Sequence, residues 1–567
     1  MKLITPRLTF KKGEKIRVTA SGNAASPRFA LWNDDGHILD TTPKKEYGNM
    51  TVELEGLDVG LYFFFIGDDS DNISEQITVY EPIYSAPKFL DDGAIYHVFV
   101  DRFRGGGTIK PRPDSVYRDD WYDSTPMFPE KPGDPIANNE FFGGTLYGVA
   151  EKLDYIKSLG VKCIYLSPIF EAYSNHKYDT GDYMKVDEAF GGDDALQYLI
   201  DEAEKRDIYI MLDGVFNHTG DNSIYFNRYG NYDSVGAYES VDSPYYDWYY
   251  FTEHPDEYEC WWGVKILPKV RPVESFQKYI CEDVLEKYCK MGVKGWRLDV
   301  VDEIDDDFLC RIAKTVKKYG CFLLGEVWED ASNKIAYGNR RHYFLGSQLD
   351  GVMNYPLREG IIDYLIWKNS SLLKNTVKTL ILHYPPDAEK YTMSVLGTHD
   401  TERILTVLGG EYSGDKPNSE LAVIKMSESE REFGKKLLKC GFLILFSLFG
   451  TPCIYYGDEA GIEGYRDPFN RRTFPWGRED AEIVEYVRKV GALRCEGYFG
   501  GETEILESSD SSFCYKKGDG TLILTNMSDR EMKYECDGIY CDLIDGTRFD
   551  GEITVPPYSG RCLTRAK

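Results

Sequence analysis

The sequence is short of positive charge. It sets 66 Lys and Arg against 94 acidic residues, a net charge of −28 over 567 residues with a pI near 4.8. A chain this acidic repels a phosphate backbone, so nucleic-acid binding is excluded first. Long apolar runs are missing as well. The longest, Gly441 to Gly450, is about half of the ~20 residues a spanning helix needs, and the mean hydropathy is −0.42, which argues against a membrane protein. Cysteines never occur as a CxxC pair; the nearest neighbours, Cys281 with Cys289 and Cys536 with Cys541, lack metal-ligand spacing. The opening stretch Met1 to Phe10 has no apolar h-region and no small-residue cleavage site. These absences predict reduced, buried thiols in a cytoplasmic protein. No internal repeat or low-complexity tract is visible, and an apolar content of 42% suffices for a large core.

What is present divides into three stretches. Residues 1–88 read as short β-branched and aromatic strands, such as Lys15–Ala20, Arg28–Trp32, Met50–Leu54, Gly60–Ile66 and Gln76–Tyr80, separated by Gly/Asn/Asp turns. Strands at this spacing with no helix between them predict an N-terminal β-sandwich. For Trp32, Phe63, Phe64 and Phe65, core packing is favoured over a sugar-binding platform. Residues 89–490 alternate eight apolar runs with helical patterns; the runs begin at Ala94, Val161, Ile208, Val293, Cys321, Leu349, Thr392 and Pro452. Such runs, buried on both faces, predict a parallel sheet closed as a (β/α)8 TIM barrel of the α/β class. About 80 residues separate the third and fourth runs, so an inserted lobe over 217–275, rich in Tyr and Trp, is expected above the barrel mouth. After Cys495 the strand-and-turn pattern returns, predicting a C-terminal β-sandwich over 491–567.

Reactive groups of such barrels project from the C-terminal strand ends. The third run ends Asp213-Gly-Val-Phe-Asn217-His218, the fourth Arg297-Leu-Asp299, the fifth Glu326-Val-Trp328 and the seventh His399-Asp400. One aspartate closing an apolar strand is usually a cap, but four decorated ends with two histidines make a poor coincidence. Arg297 and Asp299 are two apart, so both point to one side of their strand. A guanidinium fixed there favours an ionised Asp299, while Phe322-Leu-Leu and Val327-Trp328 give Glu326 an apolar setting suited to a proton donor. A carboxylate nucleophile beside a proton donor is the pattern of retaining glycoside hydrolysis.

From Ala94 to Trp476 these segments resemble the α-amylase family, glycoside hydrolase family 13. The resemblance implies Asp299 as nucleophile, Glu326 as general acid/base and Asp400 as the residue that holds and distorts the reacting sugar. It further implies that Arg297 orients Asp299 and that His218 and His399 bind sugar hydroxyls, with Asp213 and Asn217 in support. His176-Lys-Tyr178-Asp-Thr is similar to the loop after the second strand, which would stack Tyr178 under the reacting ring and set His176 on its hydroxyl. Trp261-Trp-Gly-Val-Lys-Ile-Leu-Pro-Lys, Gly325-Glu-Val-Trp and His399-Asp-Thr-Glu-Arg resemble the neopullulanase, cyclomaltodextrinase and maltogenic amylase branch. That branch implies cleavage of α-1,4 bonds in maltooligosaccharides, cyclodextrins and pullulan, no cofactor, and a homodimer; Trp328 would line the leaving-group side. An α-1,6 debranching glucosidase or a 4-α-glucanotransferase on the same site stays open, whereas the intact Asp299, Glu326 and Asp400 argue against a non-catalytic glucan-binding relative. Two features depart from the branch. Asp302 stands where Asn is common and brings an extra charge near the acceptor subsites. Arg104–Lys110, closed by Gly143-Gly-Thr145, replaces a calcium loop, so no metal is expected there. Asp458 and Glu459 after the eighth strand, and Asp467 to Arg471, are candidates for outer sugar contacts, with rim ion pairs the equal alternative.

Overall fold

The computed structural model describes residues 1–107, 112, 114–122, 125–131, 133–518 and 520–566. Eight parallel strands close into a barrel in chain order: β1 (Ala94–Val98), β2 (Val161–Leu166), β3 (Tyr209–Gly214), β4 (Gly295–Leu298), β5 (Phe322–Gly325), β6 (Gly351–Asn354), β7 (Met393–Val395) and β8 (Thr451–Tyr455), with β8 pairing back onto β1. They are the eight runs read from the sequence, in the same order. Alternation explains why the runs are apolar throughout. Ile95, Cys163, Tyr165, Met211, Phe322, Leu324, Met353, Met393 and Cys453 pack with one another inside the barrel. Their neighbours Tyr96, Val98, Ile164, Leu166, Ile210, Leu212 and Leu323 join the core shared with the helices.

The helices supply the matching stripe. Asp306–Lys317, after β4, buries Phe308, Leu309, Ile312, Ala313 and Val316 at helical spacing, and Asp305 caps it by accepting from the backbone N–H groups of Asp307 and Phe308 at 3.0 and 3.2 Å. Glu428–Ser447 starts from a capping box between Ser427 and Glu430. Its C-terminal half is buried on every side because it is wedged between barrel and C-terminal sheet, and this accounts for the long apolar run.

The N-terminal stretch forms a four-stranded and a five-stranded sheet that enclose Val18, Phe29, Leu31, Val52, Phe64, Ile66 and Ile77. Phe63 packs against Trp32 and lies under the Arg340 guanidinium, so packing is the role the structure gives it. The C-terminal stretch is one antiparallel six-stranded sheet. Phe513, Tyr515 and Ile523 face the barrel, while Leu522, Leu524, Ile553, Val555 and Leu563 make a core of their own. The lobe after β3 is mostly turns around an aromatic core of Tyr225, Phe226, Trp248, Tyr249 and Tyr258. No helix among the described residues is long and apolar enough to cross a membrane.

Candidate active site

Arg297, fully buried at the end of β4, is the hub. Its Nη1 donates to Asp213 Oδ1 and Oδ2 at 2.9 and 3.0 Å and to Asp299 Oδ1 at 2.8 Å; its Nη2 lies 2.8 Å from Glu326 Oε2. Three strand ends thus converge on one guanidinium, whose planar fork fixes the carboxylates relative to one another. Asp213 is held again by the hydroxyls of Tyr165 and Tyr178, at 2.5 and 3.0 Å. Glu326 accepts from the Val300 backbone N–H at 2.9 Å and from Trp328 Nε1 at 3.1 Å. Val300, directly after Asp299, has φ 39°, a left-handed conformation that a β-branched residue holds only where its surroundings enforce it. Trp328 stacks on Tyr355 with centroids 3.7 Å apart.

The seventh strand end closes the other side. His399 Nε2 sits 2.6 Å from the Tyr178 hydroxyl, its ring stacked on that of Tyr178, and 3.2 Å from Asp400 Oδ2. Arg471 donates through Nε to the His399 carbonyl at 3.0 Å and lies 3.6 Å from Asp400 Oδ1. His176 Nδ1 accepts from the Tyr178 backbone N–H at 3.2 Å. Burial pushes His176 down to about 3 and His218 down to about 4, so both are neutral near pH 7, with one donor and one acceptor nitrogen each. His218 Nε2 and His399 Nδ1 are buried with no hydrogen-bond partner among the described residues, as hydroxyl-binding groups would be. Asn217 reaches His218 at 3.5 Å and Glu303 at 3.4 Å.

Two expectations need correction. Arg297 was expected to hold Asp299 in its ionised form, yet Asp299 is pushed well up. Burial is the main cause; Arg297 pulls the other way, but Glu326, Asp213 and Asp400 add like charge. One guanidinium is shared among three carboxylates and cannot neutralise them all. Asp458 is not among the residues brought to the site. It is buried against Arg403, which donates to it at 3.0 Å, and burial raises it to about 6. Glu459 beside it is buried and accepts from the Tyr96 and Tyr155 hydroxyls at 2.6 and 3.0 Å, so Asp458 is engaged by an ion pair and Glu459 by hydrogen bonds, both inside the protein and not at its rim. Asp302 is likewise engaged, by the Tyr343 hydroxyl at 2.6 Å and by Lys334 at 3.3 Å.

Among the described residues after β1, the oxygen groups a calcium ion would need are engaged by protein donors. The Asp101 carboxylate is taken up by Arg102 Nε and the N–H groups of Phe142 and Gly143, while Thr145 caps the helix that follows. Residues 108–110 of that loop lie outside the described residues. Sequence reasoning missed Tyr165, His97 and Glu303. Tyr165 and His97 stack in the barrel's interior, and His97 meets His399 edge-on at 5.2 Å. Their signal was a polar side chain at an inward position of an apolar strand.

A closed parallel barrel whose strand ends gather Asp299, Glu326 and Asp400 around arginines, with neutral histidines alongside, is built for acid/base work on an uncharged, hydroxyl-rich ligand. Residues 98–493 match the family described as alpha amylase, catalytic domain, and the chain belongs to the α-amylase family. Residues 516–565 are similar to a beta-galactosidase C-terminal domain. An amylopullulanase of Thermoanaerobacterium saccharolyticum is 35% identical over 538 residues, which is 85% of this chain and 39% of that protein. The chain thus spans well under half the length of the amylopullulanases it matches. A cyclomaltodextrinase of Geobacillus thermopakistaniensis (strain MAS1) is 31% identical over 507 residues, 84% of this chain and 77% of that one. The type III pullulan hydrolase of Thermococcus kodakarensis shares the fold over 100% of this chain and 98% of its own, with a TM-score of 0.72 at 24% identity.

Proposed function

We propose that the protein is a retaining α-glucan hydrolase that cleaves α-1,4-glucosidic bonds in maltooligosaccharides, cyclodextrins and pullulan. The observation that carries this reading is the single guanidinium of Arg297 in contact with both Asp299 and Glu326. Such a bridge is in keeping with the roughly 5–5.5 Å carboxyl separation that a covalent route needs. In this mechanism Glu326 gives its proton to the glycosidic oxygen as Asp299 attacks the anomeric carbon and the C–O bond breaks. Glu326 then takes a proton from water, which opens the glucosyl ester and restores the α configuration. Asp400, held by His399 and Arg471, grips the reacting ring, and Tyr178 lies beneath it. The route uses no metal or cofactor. A cytoplasmic setting and the homodimer of the branch belong to the same proposal.

The test is product analysis on pullulan, β-cyclodextrin and maltotriose, with NMR of the first-formed anomer. Panose from pullulan, ring opening and an α-anomer are expected. Glu326→Gln should lower kcat by about 10²–10⁴-fold, and Asp299→Asn by at least as much. A β-anomer first would remove the covalent step. A relative named amylopullulanase at 35% identity supports a second reading, α-1,6 cleavage at the same site, for which pullulan would yield maltotriose.

A further inference from the structure

All thirteen cysteines are free thiols, yet two of them meet. Cys289 lies in the helix Glu286–Met291 that leads into β4, and Cys321 is the residue before β5. They are 32 positions apart in sequence, and their sulfurs are 3.4 Å apart. Nothing in the spacing of the cysteines announces this pairing, because Cys281 is the nearer neighbour of Cys289 in the chain. Both side chains are buried, Cys289 at 4% exposure and Cys321 at 0%. Cys321 Sγ also lies 3.2 Å from the Val293 carbonyl oxygen. The contact thus sits at the end of the barrel where β4 and β5 begin, with one thiol on each side of it.

The backbone on both sides is fixed. Gly292, at φ 114°, ends the helix, and its N–H donates to the Cys289 carbonyl at 3.1 Å. The Cys321 N–H donates to the Val316 carbonyl at 3.2 Å, and the Cys321 carbonyl accepts from Lys317 Nζ at 3.1 Å. Joining the sulfurs needs each to move by roughly 0.7 Å, a displacement that rotation of the two side chains supplies. The two thiols are unequal. Cys289 has the greater exposure and stands beside the exposed Lys290, and its contact with Cys321 holds its thiol below the ordinary value; the Lys294 charge acts in the same sense, and burial opposes both. Cys321 is pushed up by the same contact and by burial. Cys289 is therefore the sulfur that attacks, and Cys321 the one that resolves.

We propose that Cys289 and Cys321 form an oxidation site, at which a hydroperoxide converts the two thiols to a disulfide that straps the helix before β4 to the start of β5 and hardens the barrel against heat. The Cys289 thiolate attacks one peroxide oxygen, the O–O bond breaks, and Cys289 becomes a sulfenic acid as hydroxide leaves and takes up a proton. The Cys321 sulfur then attacks the Cys289 sulfur, the S–O bond breaks, and water leaves with the Cys321 proton. Two thiols and one hydrogen peroxide give one disulfide and two waters, with two electrons passing from sulfur to oxygen. The strap closes a loop that holds β4 and the helix Asp306–Lys317, and it removes freedom from that loop in the unfolded chain. Asp299 and Glu326 follow the far ends of the same two strands, so the bridge forms a strand length away from them. The inference does not depend on the substrate assigned above.

The full chain is reduced, freed of reductant and treated with hydrogen peroxide, while a parallel sample stays in dithiothreitol. After alkylation in denaturant, peptide mass spectrometry should find Cys289 joined to Cys321, the linked pair lighter by two hydrogens and restored by dithiothreitol. The oxidised chain should melt about 3–5 °C above the reduced one. Cys289→Ser and Cys321→Ser should each abolish the link and the rise in Tm, which separates the bridge from oxidation at other side chains. Cys281→Ser should keep both. The peptide map of the unaltered chain decides the pairing even where a serine in the core weakens the fold. Cys289 and Cys321 both alkylated after peroxide, either one carried on to a sulfinic acid, or either joined to another cysteine would overturn the proposal. So would a linked chain whose Tm does not move.

Discussion

The two sides of the barrel mouth are built on opposite principles. On one, Tyr178, His399, Asp400 and Arg471 are tied to each other and to strand ends, and Tyr165 and Asp213 lock them from below. On the other, Trp262 and Tyr337 ride on turn tips with their faces in water. A group that must meet one sugar ring in one pose gains from rigidity, because misplacement by a fraction of an ångström costs rate. A surface that accepts chains of several lengths gains from an open, flat, weakly directional contact.

The contrast can be broken by substitution. The buried framework behind the rigid side should fail in stability. Asp458→Asn leaves Arg403 as an uncompensated buried cation, so chemical denaturation should show a loss of roughly 3–5 kcal/mol, with KM unaffected. Sugar contact by Asp458 would instead raise KM and spare the fold. Next comes Arg297→Lys, which keeps the charge and loses the fork that reaches three carboxylates. The expected result is a fall in kcat of about 10²-fold on short and long substrates alike; a penalty that grew with chain length would erase the distinction between the two sides. The smallest effect concerns pH. Burial raises Glu459 from 4.5 to about 7, so the folded chain keeps a proton that the unfolded chain releases between those values. Stability therefore falls as pH rises through that window, and Glu459→Gln should remove about 1.4 kcal/mol per pH unit of that slope, read from denaturation midpoints at pH 5 and 6.5.

The rigid side was legible in the sequence and the open side was not. Apolar runs ending in Asp213, Asp299, Glu326 and Asp400 announce both the strands and what they carry, because strand direction and the period of two decide where each side chain goes. The raised Asp299 carboxyl needed a count of neighbours that only the closed barrel supplies. Asp458 looked like its neighbours by position, but its partner Arg403 lies 55 residues away. Trp262 falls within the lobe read as rich in Tyr and Trp, and Tyr337 carries no motif of its own; Glu303 joins them across 41 and 34 residues. Pairings of that span are set by tertiary packing and leave no local pattern.

The hairpin that carries Tyr337 does not hang from the barrel alone. Its Arg340 is gripped by both oxygens of Asp34, at 2.8 and 3.0 Å, and lies over Phe63; a few residues earlier, Ser332 and Asn333 bond Gln76. The N-terminal sandwich is thus fastened to the loop that follows Glu326 as well as being a neighbour of the barrel. The shape of the loop beyond Glu326 is therefore written partly in the first 88 residues, so exchanging that sandwich would disturb this loop while the strand-end side chains stayed in place.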